Sequence, residues 1–123
     1  MRVPGFLLRR LYLKNSLVTT RSGFEFQLRN QLGSGFARKL FPLTVDGIEI
    51  PLSLATFQIG DKTSNFADVS NENPFTLAMN KVTTIKVGMP LNLEAHTIGM
   101  RFEVAGLGEL GFEFTDLPTD DPR

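Results

Sequence analysis

The chain of 123 residues has no cysteine and no tryptophan, one tyrosine (Tyr12) and one histidine (His96). Without cysteine there is no disulfide framework, no thiolate metal site and no thiol nucleophile. The absence fits a reducing compartment, and a cytoplasmic protein is the expectation. Without tryptophan, and with tyrosine at a single position, the rings that usually stack on sugars are missing. No apolar run approaches the ~20 residues of a membrane span. Residues 6–13 are too short and too interrupted by Arg9 and Arg10 for a signal peptide. Net charge is also lacking: 13 Lys and Arg balance 13 Asp and Glu. That excludes an overall basic nucleic-acid binder, and neither nucleic acid nor membrane is an expected partner.

What is present reads as one folded domain over residues 1–123, with 41% hydrophobic residues and 11 phenylalanines to fill a core. The most ordered stretch is 100–115. Met100, Phe102 and Val104 alternate with Arg101 and Glu103; Leu110, Phe112 and Phe114 alternate with Glu109, Gly111 and Glu113. Period-two patterning on both sides of a Gly-rich break predicts a hairpin with one buried face. The same letters spell Gly106-x-Gly108-x-x-Gly111, but a nucleotide-binding loop needs a helix after it, and Phe112-Glu113-Phe114 alternates like a strand. A three-residue loop of Gly106, Leu107 and Gly108 would set Val104 opposite Leu110, Phe102 opposite Phe112, Met100 opposite Phe114 and Arg101 opposite Glu113.

A second hairpin is read over residues 41–52. Asp46-Gly47 is the preferred pair for a type I′ turn, setting Val45 against Ile48, Leu43 against Ile50 and Phe41 against Leu52 on one face. Pro42 and Pro51 fall opposite each other and mark a sheet edge. Further strands are expected over 17–20, 24–29, 54–59, 75–79, 81–87 and 91–95. Residues 6–13 are open between a strand and a short helix, with the strand, which sets Leu7, Leu11 and Leu13 on one face, preferred; 61–73 is read as a long polar loop anchored by Phe66, and 119–123 as a frayed tail. No segment holds a helical period over three turns. About eight or nine short strands with little or no helix predict an all-β antiparallel two-sheet sandwich, Ig-like or jelly-roll-like.

Charge is polarised along the chain. Residues 1–40 hold eight basic residues and one acid, a balance of +7, and residues 41–123 hold five basic residues and twelve acids, a balance of −7. Cross-pairing of first-half with second-half strands, or of subunits, would neutralise this. Alternatively Arg9, Arg10, Arg38, Lys39 and His96 bind an anionic or sugar-like ligand, helped by the 61–73 loop.

Catalytic constellations are sparse. His96 with Glu94 offers two metal ligands where a structural site takes three or four, and no metal or cofactor is expected. Ser16, Ser22, Ser34, Ser53, Ser64 and Ser70 lack a nucleophile-elbow pattern. Glu103, Glu109 and Glu113 decorate the polar face of the closing hairpin and read as solvated rather than as a glycosidase pair.

The run Leu43-Thr44-Val45-Asp46-Gly47-Ile48-Glu49-Ile50-Pro51, then Phe57-Gln58-Ile59-Gly60, then Pro90-Leu91 leading to His96-Thr97-Ile98, resembles the small β-sandwich subunit of C-glycoside deglycosidases and related bacterial all-β domains. The resemblance covers residues 40–104. It implies a sandwich that assembles with a larger barrel subunit carrying the metal and the chemistry, and it transfers no catalytic residue. Leu93 and Glu94 stand where those domains carry Pro-Gly. The expectation is a non-catalytic protein acting through assembly, as an accessory subunit of a larger enzyme or as a homo-oligomer. A ligand-binding module and a minimal hydrolase using His96 are the alternatives.

Overall fold

A computed structural model describes residues 5–120. Twelve strands in two sheets make an all-β sandwich. The first sheet is built from β1 (Val18–Thr20), β2 (Gly23–Arg29), β6 (Ala55–Ile59), β7 (Lys62–Asn65), β9 (Val82–Val87) and β12 (Thr119–Asp120). Its strand order is β12-β1-β2-β9-β6-β7. The second is organised around β10 (His96–Val104), which β11 (Gly108–Asp116) follows along one edge. On its other edge β4 (Thr44–Val45), paired with β5 (Ile48–Glu49), meets Ile98 and Gly99. Further along that edge β3 (Gly35–Leu40), paired with β8 (Phe75–Leu77), meets Phe102 to Val104.

Alternation explains the core. Phe24, Phe26 and Leu28 of β2 and Thr83, Ile85 and Val87 of β9 point inward from the first sheet. Ile98, Met100, Phe102, Leu110, Phe112 and Phe114 answer from the second. The Asp46-Gly47 turn has positive φ at both residues, 53° and 87°, as a type I′ turn requires. Val45 pairs with Ile48 and Thr44 with Glu49, as the sequence predicts. β5 lies at the sheet edge, so Ile48 is 73% exposed rather than in the core.

Other expectations are overturned. The closing hairpin pairs Met100 with Phe112 and Phe102 with Leu110, two residues out of the expected register. The turn closes earlier, with Leu107 N–H donating to Val104 O at 3.0 Å and Gly106 at φ 86°. A slip of two keeps every side chain on its face, so the buried layer survives while the pairs change. Arg101 therefore faces Gly111, and its ion pairs go to Glu109 at 3.3 Å and Glu49 at 3.5 Å instead of Glu113. Val104, expected in that layer, is only partly buried.

Residues 6–13 do not form a strand. A single helical turn α1 (Gly5–Leu8) runs into a 3-10 turn at Arg9–Leu11, because Leu8 and Leu11, three apart, both enter the core. The 61–73 loop yields β7 and a short 3-10 turn at Phe66–Asp68, with Phe66 buried as expected. Residues 91–95 are not a strand. Thr119 and Asp120, expected to fray, form β12 parallel to β1, and Thr19 Oγ1 donates to Asp120 Oδ1 at 2.7 Å. Arg2 and the tail residues 121–123 lie outside the described residues.

Tyr12 ties the two sheets together. Its ring stacks on Phe114 with centroids 3.6 Å apart and planes at 9°. Its hydroxyl donates to Asp116 Oδ2 at 2.7 Å and accepts Leu17 N–H at 3.2 Å. Burial, reinforced by the Asp116 carboxylate, pushes the phenol well above its ordinary pKa. Tyr12→Phe is expected to lower stability by about 1.5 kcal/mol in urea unfolding. That is the low end for a bond to a charged acceptor, because Asp116 keeps the N–H donors of Asn15 and Leu117.

Candidate functional site

The five candidate binding residues occupy separate places. Arg9 leans over the outer edge of β11, its Nε donating to Glu113 O at 2.8 Å. With Phe6, Thr44 and Arg101 it borders a depression of about 480 Å³ floored by Gly99 and Gly111. Arg10 is exposed on the 3-10 turn. Arg38 is ion-paired to Glu103 at 2.6 Å, and the Lys39 ammonium sits 5.0 Å from the Phe41 ring centroid. The 61–73 segment does reach Arg38 and Lys39: Ser70, Asn71 and Glu72 close a depression of about 420 Å³ beside them.

His96 stands at the other end of β10. Glu103, opposite Lys39, is seven residues along the strand, or ~23 Å at ~3.3 Å per residue. The His96 Nδ1–H donates to Asp46 Oδ2 at 2.7 Å. Its Nε2 lies 2.8 Å from Asn92 Oδ1 and 3.2 Å from Asn92 O. The second Asp46 oxygen accepts Thr97 N–H at 2.9 Å, and Asp46 N–H donates to Thr97 O at 2.8 Å. The type I′ turn is thereby latched to the start of β10. Both imidazole nitrogens are occupied within the fold, and no serine hydroxyl bonds to either. This is the geometry of a structural clamp rather than of a general base, which needs a nitrogen facing its substrate.

Glu94 does not share a strand face with His96: β10 begins at His96, and Glu94 N–H donates to Asn92 Oδ1 at 3.1 Å in the preceding loop. Among the described residues, no group of three or more His, Cys, Asp or Glu could hold a metal ion. Glu103 and Glu109 pair with Arg38 and Arg101 on the solvent side of the sheet, as a solvated face should. Sequence reasoning missed the Asp46–His96 contact, which joins residues 50 apart. An Asp-Gly turn is legible alone, but its docking partner is not.

Two carboxylates are expected to lend the fold acid sensitivity. The Thr97 N–H and then the His96 ring hold the Asp46 carboxyl below its ordinary pKa. For Asp116, burial pushes upward, but the Tyr12 hydroxyl and the Leu117 and Asn15 N–H groups outweigh it, and the net shift is downward. Groups depressed on folding contribute stability above the unfolded carboxylate pKa of ~4 and lose it as pH falls through the lower folded values. Urea midpoints should be level above about pH 5 and decline below about pH 4. Asp46→Asn should shrink that decline.

The third feature lies between the sheets at the end opposite His96. Leu8 and Leu11, Phe75 and Leu77, and Phe102 and Leu110 line an apolar cavity of about 270 Å³. Its mouth is flanked by Leu32, Phe36 and Leu107, which are 40%, 49% and 41% exposed. Among the described residues no charged side chain lines it. The one fully buried amide at its wall, Asn30, is satisfied: Nδ2 donates to Gly33 O at 2.6 Å and Leu77 O at 2.8 Å.

Fold and sites together define a two-sheet β-sandwich domain. The chain belongs to the hydroxymethylglutaryl-CoA reductase N-terminal domain family, whose model matches residues 7–118. No curated protein matches the sequence. Among the described residues no helix is long and apolar enough to cross a membrane.

Proposed function

We propose that the domain is non-catalytic and works by assembly, as the accessory partner of a larger catalytic chain or domain. The observation that carries this reading is the family match, because the family is described as an N-terminal domain of an enzyme and the match spans residues 7–118. The resemblance to an accessory sandwich subunit points the same way. The engagement of both His96 nitrogens argues against a hydrolase built on that residue. Assembly with a second copy is the variant of the same reading, and the exposed β5 edge with Ile48 at 73% exposure gives it a surface. A chain without cysteine accords with a cytoplasmic setting.

The test is reconstitution. Protein carrying an affinity tag is recovered from its native cells, and the polypeptide retained at fixed stoichiometry is identified by mass spectrometry. Removing the domain should reduce the activity or thermal stability of that enzyme, and adding it back should restore them. An enzyme partner equally active and equally stable without the domain would contradict the accessory role.

A further inference from the structure

We propose that the open end of the sandwich is a binding site for a small anionic amphiphile, with its aliphatic chain in the cavity between Leu11, Phe75 and Phe102 and its anionic head among the cations at the mouth. The interior supplies the first half of the argument. At about 270 Å³ the cavity exceeds the ~150 Å³ engineered cavity that admits benzene. It is continuous with the core, since Leu8, Leu11, Phe75, Phe102 and Leu110 are core members. Among the described residues it is lined by no charge, and its buried amide has its bonds made, so it asks for an apolar guest.

The rim supplies the second half. Three of the ten exposed large apolar side chains line this opening. Leu32, Phe36 and Leu107 flank the opening, and Met79 N–H donates to Ser34 Oγ on its lip. The charges around them are one-sided. Arg29 adjoins Asn30, Lys81 follows Asn80, whose N–H donates to Asn30 O at 2.8 Å, and Arg10 lies between the lining residues Leu8 and Leu11. Among the described residues none of these three cations has an ion pair. The carboxylates on the hairpin side, Glu103 and Glu109, are taken by Arg38 and Arg101. An apolar pocket beside uncompensated positive charge fits a chain with a negative head.

The site does not depend on the assembly reading: a monomer that binds such a ligand would refute assembly alone. The experiment is an NMR titration of the purified protein with butanoate, hexanoate and octanoate, with octanol as the uncharged control. Octanoate is expected to shift the methyl signals of Leu11, Ala37, Leu77 and Leu110. Affinity should rise roughly fourfold per added methylene. Arg29→Glu combined with Lys81→Glu, both on the surface, should weaken octanoate about tenfold or more and leave octanol unchanged. Val104→Phe, which fills the mouth, should abolish both. The proposal fails if octanoate leaves these methyls unmoved at millimolar concentration or shifts the Gly99–Gly111 depression instead. It fails equally if charge reversal weakens octanol and octanoate alike. Shifts that follow protein concentration and ignore octanoate would mean a second copy covers the mouth, which also overturns it.

Discussion

Gly23→Ala is expected to leave little folded protein. Gly23 opens β2 at φ 152°, and a β-carbon there would overlap the Val87 carbonyl oxygen and lie 2.7 Å from Met89 N. Both are backbone atoms of β9 and the segment that follows it, and β9 is held by β2 on one side and β6 on the other. Neither can rotate away as a flexible side chain would. A loss of ~4 kcal/mol or more is expected, a large part of the ~5–15 kcal/mol that holds a domain together. Gly106→Ala is the control. Gly106 also has positive φ, at 86°, but a β-carbon there meets nothing within 4 Å. Its cost is the left-handed conformation alone, about 1–2 kcal/mol. Urea unfolding of the two variants separates backbone overlap from backbone strain, and equal losses would contradict the distinction.

Phe26→Ala is the second large effect. Phe26 is fully buried and meets Phe114 edge-on at 5.2 Å and Tyr12 at 6.3 Å. It therefore stands where the first sheet, the second sheet and the N-terminal segment converge. Removing the ring forfeits its burial and leaves a cavity that three elements cannot jointly close, at about 3–5 kcal/mol. A fall in melting temperature of about 10–20 °C should follow. Phe36→Ala, at a side chain 49% exposed, should change stability by no more than about 1 kcal/mol. A Phe26→Ala loss no larger than that of Phe36→Ala would mean the aromatic junction does not organise the core.

The legible parts of the fold were those with strict alternation or with turn chemistry confined to neighbours. Asp46-Gly47 gave the pairs Val45–Ile48 and Thr44–Glu49 because a two-residue turn leaves no freedom of register. Inward-facing Phe24, Phe26 and Leu28, and Thr83, Ile85 and Val87, follow from period two. β3 escaped because its pairing with β10 carries a bulge: Lys39 faces Glu103 and Ala37 faces Val104, leaving Arg38 over. Its buried residues, Ala37 and Leu40, are then three apart, and alternation vanishes from the letters. The closing hairpin has glycines at both Gly106 and Gly108, each at positive φ, so two turn closures were sterically open. What decides between them lies outside the hairpin. In the observed register Arg101 faces Gly111 and reaches Glu49 on β5.

The candidate sites were less legible than the fold for a related reason. Arg9, Arg10, Arg38, Lys39 and His96 were grouped by charge and rarity, but a sandwich distributes sequence neighbours over faces and ends. The cavity at the open end is made by Leu8, Leu11, Phe75, Phe102 and Leu110, each of which reads as ordinary core. Lys81 comes near it because the Asn80 N–H donates to the O of the lining residue Asn30, a contact that no local pattern reveals.

Light scattering on the protein eluted from size exclusion, taken across a range of concentrations alone and after recovery from native cells, tests the central claim most directly. Function through assembly predicts a mass above the 13.7 kDa of one chain, fixed by a second copy or by a stoichiometric catalytic partner. A single species of 13.7 kDa under every one of those conditions would contradict it.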